Sequence, residues 1–242
     1  MNNVLITGCP RSGTTLALQV LCPKLTPSQL TAGSNVNEPT MLSDAIESGN
    51  SKRVAGAIIN MMANPHRTVK HPFAAICLDQ LTMWHEHFSV LGIYRDLRQV
   101  VPSVFEHHNN HSVVGDDNLW KSWAIFDESM TKFERVMMLW QEAHLRIAKW
   151  PGKKTLWRYG MWHEWEVNAR PTMCDSCETS QTIIDDVLTT GHVFSNKMDN
   201  FNAWGQLMHD GEISGKEEEQ AEKAIETVVD AYWKAGMWNI TL

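Results

Sequence analysis

The chain has 242 residues, a length that suits one enzyme-sized unit with a sizeable core, and a single domain over residues 1–242 is expected. Its 43% hydrophobic and 20% charged content is ordinary for a soluble globular protein, while 11 Trp and 13 Met point to a large aromatic-lined interior or cleft. A formal net charge of −7 argues against a broad nucleic-acid-binding surface and leaves room for a local basic pocket that takes one anion. No stretch approaches the roughly 18 apolar residues of a membrane span. The opening MNNVLITG lacks a basic region followed by a long apolar one, so a cytoplasmic protein with no membrane partner is expected.

Asn3 to Thr7 reads as a buried strand feeding the turn GCPRSGTT, Gly8 to Thr15, and then a helix over roughly Gly13 to Leu21 that ends near Pro23. Short strands are expected at His66 to Lys70 and at Phe88 to Tyr94, with helix-like segments between and after them. From Phe126, the residues Phe126, Met130, Phe133, Met137, Trp140 and Ile147 recur at three- and four-residue steps. That spacing predicts a long amphipathic helix to about Lys149, its Met and Trp stripe facing the core. KKTLWRY gives one more strand. Ala221, Ala224, Val228, Ala231, Tyr232 and Ala235 mark a final helix, whose first turns carry Glu217, Glu218 and Glu219, where carboxylates favour the helix dipole. Gly160 to Gly215 is polar and weakly periodic and takes no assignment. Alternating strands and helices imply an α/β fold of three layers, α/β/α, around a central parallel sheet.

A tight glycine turn between strand and helix aims successive backbone N–H groups at one point, where the helix N-terminus adds about half a positive charge. Such a point binds a phosphate-like anion. In ATP and GTP enzymes the pattern is G-x-x-x-x-G-K-[ST], with Lys on the outer phosphates and Ser/Thr on magnesium. Here Gly8 and Gly13 keep the spacing and Thr15 fills the last place, but Thr14 replaces the Lys and a cation stands earlier as Arg11. The exchange points to a smaller anion held by amides, hydroxyls and one arginine. A helix-opening turn without a ligand is the plainer alternative.

GCPRSGTT resembles the 5′-phosphosulfate loop of the sulfotransferases that use 3′-phosphoadenosine 5′-phosphosulfate (PAPS), above all the tyrosylprotein sulfotransferases and their bacterial relatives. YRDLRQVVPSVF is similar to the family's 3′-phosphate segment, a strand-end arginine followed eight residues later by a serine, here Arg95 and Ser103. VKHPF resembles the KDPF stretch of the tyrosylprotein enzymes and puts a lysine at Lys70. NEPT lies where those enzymes carry a glutamate base, and Glu38 is the carboxylate there. These matches cover residues 1 to about 110. LWRYGMW resembles, more faintly, a later strand with a tyrosine near the adenine, here Tyr159, and Lys197 corresponds to a late cofactor-binding lysine.

The resemblance implies a P-loop NTPase-like sulfotransferase fold with PAPS as donor, the desulfated PAP as product, and no metal. It implies cofactor binding by Arg11, Ser12, Gly13, Thr14, Thr15, Arg95, Ser103, Tyr159 and Lys197, and catalysis by Glu38, Lys70 and Arg11. The acceptor is a hydroxyl or amine, on a small molecule or another hydroxyl-bearing partner. A protein tyrosine is not implied: Glu38-Pro39 replaces the adjacent glutamates of the tyrosylprotein enzymes, which are also luminal, anchored and disulfide-bonded. A P-loop small-molecule or nucleotide kinase and a non-catalytic PAP-binding module are the alternative functions.

Other reactive side chains compete for roles. Cys174-x-x-Cys177 supplies two zinc ligands at most, and the five scattered cysteines fit reduced thiols. His107, His108 and His111 read either as a metal site short of a ligand or as a histidine-rich rim of the acceptor cleft. His85 and His87 flank Glu86, and His71, beside Lys70, is the histidine best placed for a catalytic role. Nothing in the sequence speaks to oligomeric state.

Overall fold

The structure, a computed structural model, describes residues 3–21, 40–62, 68–110, 129–160 and 200–238. Strand β1 (Asn3–Gly8) is buried along its whole length, and so is β3 (Phe88–Tyr94), as parallel strands covered on both faces must be. β1 pairs in parallel with β2 (Thr68–Lys70) on one side and with β3 on the other. β3 in turn pairs in parallel with β4 (Lys154–Arg158), so the sheet order is β2-β1-β3-β4. The chain leaves β1 for one neighbour and returns on its other side, so the carboxyl ends of β1 and β3 meet at a topological switch point, where open α/β sheets take their ligands.

Helix α1 (Thr14–Leu21) follows β1, and α2 (Thr40–Glu47) and α3 (Ser51–Met62) precede β2. A run of 3-10 turns, Pro72–Trp84, joins β2 to β3; α4 (Leu97–Asn110) follows β3, and α5 (Lys132–Lys149) leads into β4. Helices α6 (Asn200–His209) and α7 (Gly215–Lys234) complete the set. The expected α/β class is therefore present, a parallel four-stranded sheet with flanking helices. Among the described residues no helix is long and apolar enough to cross a membrane.

Of the strand expected at His66 to Lys70, Thr68–Lys70 is formed and His66 and Arg67 lie outside the described residues. Two elements differ from the sequence reading. Helix α5 begins at Lys132, not near Phe126, which lies outside the described residues. Ser129 and Met130 form a turn, and Thr131 starts the helix by a capping box: its hydroxyl accepts from Glu134 N, and the Glu134 carboxylate accepts from Thr131 N. Helix α6 lies within the stretch left unassigned and packs against α4. A second capping box, Ser214 with Glu217, opens α7, and Thr131 Oγ1 donates to Glu217 Oε1 at 3.2 Å, tying the starts of α5 and α7 together.

The core holds Trp140, Trp150, Trp157, Tyr232, Phe88 and Phe133, each less than 2% exposed. Around Tyr94 the rings of Trp140, His144, Tyr232 and Trp238 gather, with centroids 4.8 to 6.3 Å from the Tyr94 ring. His144 Nδ1 and the Tyr232 hydroxyl share a hydrogen bond at 2.7 Å. Burial in this apolar nest pushes the His144 pKa from its ordinary 6.5 down to about 3.

A buried neutral histidine makes stability depend on pH. Between about pH 6.5 and pH 3 the unfolded chain takes up a proton at His144 that the folded chain refuses. Stability from this group is therefore complete above the unfolded value and falls as the pH drops, by up to about 1.4 kcal/mol per pH unit. His144→Gln, which keeps a partner for the Tyr232 hydroxyl and cannot titrate, is expected to flatten the loss of urea midpoint between pH 7 and pH 5. Equal slopes in parent and variant would refute the assignment.

Candidate active site

The loop after β1 turns tightly because two residues adopt left-handed backbone: Arg11 at φ 68° and Gly13 at φ 97°. For a non-glycine residue this conformation costs on the order of 1–3 kcal/mol and persists only when its surroundings hold it. Here the Arg95 guanidinium does so, with Nη1 donating to Arg11 O at 2.9 Å. Ser12 N donates to Cys9 O at 3.1 Å, and Ala17 N donates to Gly13 O at 3.0 Å, so the loop passes straight into the first turn of α1. The opening N–H groups of that turn have no intrahelical acceptor by position, which leaves them for an anion.

Both glycines are required by close approach. A Cβ on Gly8 would lie 2.8 Å from Ile93 O and from Ser12 Oγ, and one on Gly13 would lie 2.6 Å from Tyr159 Cδ2. Ser12 is fully buried, and its Oγ has no hydrogen-bond partner among the described residues. Thr14 is buried and Thr15 half-buried at the start of α1. Cys9 is packed beneath the loop, where burial holds its thiol far above the usual range, so it is no nucleophile.

Arg95 follows the last residue of β3, and Tyr159 follows the last residue of β4; Tyr159 N donates to Tyr94 O at 2.7 Å, carrying the ladder one step beyond the strands. The guanidinium carbon of Arg95 sits 4.3 Å from the centroid of the Tyr159 ring, and Trp140 Nε1 donates to Arg95 O at 2.8 Å. Asp96 is committed to Arg98, through Arg98 N at 2.9 Å and Nε at 3.2 Å, and does not neutralise Arg95. Arg95 is 3% exposed, and its Nε and Nη2 have no hydrogen-bond partner among the described residues. Burial, with the Arg11 charge adding to it, lowers the Arg95 pKa against the opposing effect of Tyr159. A desolvated cation whose remaining donors meet no described partner has the chemistry to pair with an anion.

Ser103 lies about two turns into α4 and is buried. Arg95 and Ser103 are both joined to the loop, since Arg11 Nε donates to Ser103 Oγ at 3.2 Å while Arg95 holds the Arg11 carbonyl. Lys70 closes β2 opposite Ile6 of β1 and is 3% exposed, which puts it at the same carboxyl edge. Thr7 Oγ1 donates to His71 O at 2.9 Å and to Pro72 O at 3.1 Å, a fixture of this corner that no motif announced. Trp140 is another such fixture, since its stripe reads only as core.

The remaining candidates fall elsewhere. Glu38 and Lys197 lie outside the described residues, as do His111, Cys174 and Cys177 and the side chains of His107 and His108. His85 and His87 sit in the turn before β3, at the amino edge of the sheet and therefore opposite the loop. Among the described residues no group of three His, Cys, Asp or Glu could hold a metal ion.

A strand, a turn with two left-handed residues, a helix N-terminus and a buried arginine at the switch point define a P-loop-like α/β protein built to hold a phosphate-like group. The model of the Sulfotransferase domain family matches residues 1–160, and the chain belongs to that family. It is thus a transferase of sulfuryl groups, in a family that uses PAPS as sulfate donor and hydroxyls or amines as acceptors. Comparison with curated proteins and with solved structures gives no match.

The Arg95 donors that meet no partner among the described residues carry a stability cost. Arg95→Met removes that buried charge together with the bond to Arg11 O and the contact with the Tyr159 ring, and these opposing effects are expected to leave the melting temperature of the ligand-free protein close to the parent's. A melting temperature well below the parent's would show that the arginine holds the fold rather than waits for an anion.

Proposed function

We propose that this chain transfers the sulfuryl group of PAPS to a hydroxyl or amine of a small molecule, releasing PAP, and that residues 1–242 form one cytoplasmic enzyme domain. The observation that carries this reading is the buried guanidinium of Arg95, whose Nε and Nη2 meet no hydrogen-bond partner among the described residues, beside a loop whose backbone is bent by two left-handed residues. The residues fit the nucleotide: two anion-binding positions stand side by side at one sheet edge, without a Walker lysine.

When bound, PAPS supplies an activated sulfuryl group on a phosphate leaving group. The amides from Arg11 to Thr15, with the hydroxyls of Ser12, Thr14 and Thr15, hold its 5′ side. Arg95 and Ser103 hold the 3′-phosphate, Tyr159 packs over Arg95 beside the nucleoside, and Lys197 adds a late contact. Arg11 and Lys70 stabilise the negative charge that grows on the bridging oxygen, a preorganised electrostatic role suited to a buried edge. Glu38 accepts the proton that the acceptor gives up.

PAP is expected to stabilise the protein in the presence of a metal chelator, by about 2.7 kcal/mol at a hundredfold excess over its Kd. Stabilisation by ATP–Mg and none by PAP, read by thermal shift, would reverse the assignment in favour of a kinase. Arg95→Ala is expected to weaken PAP binding by roughly 10- to 150-fold in calorimetric titration, the loss of one arginine–phosphate interaction. Adenosine 5′-phosphosulfate, which has no 3′-phosphate, should bind poorly and should lose less than PAP does on the same substitution, its loss being the part that comes from releasing the Arg11 carbonyl; equal losses for both nucleotides would remove Arg95 from the 3′ position. Glu38→Gln should keep PAP affinity and lose about 10²- to 10⁴-fold in transfer, and undiminished turnover would exclude Glu38 as the base.

A further inference from the structure

Residue 71 stands at a corner where the chain turns from β2 into the 3-10 run, and the sequence offers His71 as a rival catalytic base. We propose instead that His71 is a positioning residue: its Nδ1 caps the 3-10 run, its ring proton resides on Nε2, and its task is to hold Lys70 at the anion site. The proposal rests on the reading that Lys70 acts there.

The start of a helical segment leaves N–H groups that a flanking side chain must satisfy. Pro72 occupies the first position and has no N–H, so the first group in need is Phe73 N. His71 has the extended backbone of a cap, φ −153° and ψ 119°, and its Nδ1 accepts from Phe73 N at 3.3 Å. A main-chain N–H can only donate, so the lone pair of Nδ1 is already in use and the hydrogen of the neutral ring belongs on Nε2. Neither nitrogen is then available to collect a proton: Nε2 carries one, and protonating Nδ1 would expel the Phe73 N–H.

The backbone of the same residue is clamped on both sides. His71 N donates to Ile6 O at 3.0 Å, and His71 O accepts from Thr7 Oγ1 at 2.9 Å and from Ala74 N at 3.2 Å. Ile6 is the register partner of Lys70, and Thr7 is the residue before the first glycine of the anion loop. The cap therefore completes a set of bonds that fixes the Lys70 main chain to β1, two residues from Gly8. Releasing it frees the corner that carries Lys70 while leaving the loop itself untouched.

Two measurements on the full chain decide the matter. Long-range proton–nitrogen NMR of the imidazole at neutral pH should find Nε2 protonated and Nδ1 bare; the opposite tautomer, or a doubly protonated ring, overturns the proposal. Asn and Gln then separate the two nitrogens, because an Asn carbonyl can stand in for Nδ1 and a Gln amide for Nε2–H. His71→Asn should match the parent in melting temperature and PAP affinity. His71→Gln and His71→Ala should melt roughly 2–4 °C lower, as expected for a lost cap in a chain of this size, and should bind PAP severalfold more weakly. Parent-like behaviour of the Gln variant with loss in the Asn variant would place the working atom at Nε2 and overturn the cap. Failure of PAP to bind the parent would overturn the nucleotide site and not the cap, which the ring tautomer and the melting temperatures judge separately.

Discussion

A desolvated guanidinium organises the site. Arg95 emerges from the end of β3 into the interior, and its neighbour Asp96 turns to Arg98 and leaves the Arg95 charge without a carboxylate partner among the described residues. In exchange it gives one N–H to the carbonyl of Arg11, and that bond steadies the left-handed residue on which the loop's curvature depends. The loop after β1, the end of β3 and α4, which an alignment of motifs would treat as independent, are therefore mechanically one. A displacement of Arg95 reaches the loop through Arg11 O, and a displacement of the loop reaches α4 through Arg11 Nε and Ser103.

The core serves this arrangement from below and from the side. Trp140 packs in the aromatic nest while its indole N–H fixes the carbonyl of Arg95, so a residue of the hydrophobic interior sets the departure angle of a functional cation. Tyr159 does the same from β4, with its ring against both Gly13 and Arg95. The rigid sheet thus defines the site's width, and the short bonds at its carboxyl edge define its chemistry.

The sequence was most legible where a local pattern carries its own physics. An apolar run before GCPRSGTT and an apolar run ending at Arg95 specify strand, turn and helix within a few residues, and both elements stand where they were expected. The eight-residue step from Arg95 to Ser103 likewise survives as two turns of α4. What it could not convey are contacts closed over long separations: Arg95 to Arg11 spans 84 positions and Arg11 to Ser103 spans 92. Thr7 gives no sign of holding His71, because an isolated threonine at a strand end has many possible partners. The start of α5 carries its own capping signal, Thr131-x-x-Glu134, but the apolar spacing continues past it to Met130 and Phe126 and masks the boundary. Helix α6, with Gly205 and two asparagines, has weak intrinsic helical preference, and its packing on α4 supplies what its sequence lacks.

The placement of β1 has a consequence for how the chain is made. It precedes β2 and β3 in the chain and yet lies between them in the sheet. Its last pairing partner is Ile93, so on a ribosome a strand centred on the apolar run Val4, Leu5 and Ile6 emerges long before its β3 edge can be covered. Parallel pairings of this separation close slowly, and an uncovered apolar edge invites association with other nascent chains. The architecture that brings the loop after β1 to the middle of the sheet therefore leaves an open apolar edge on β1 until β3 has been translated.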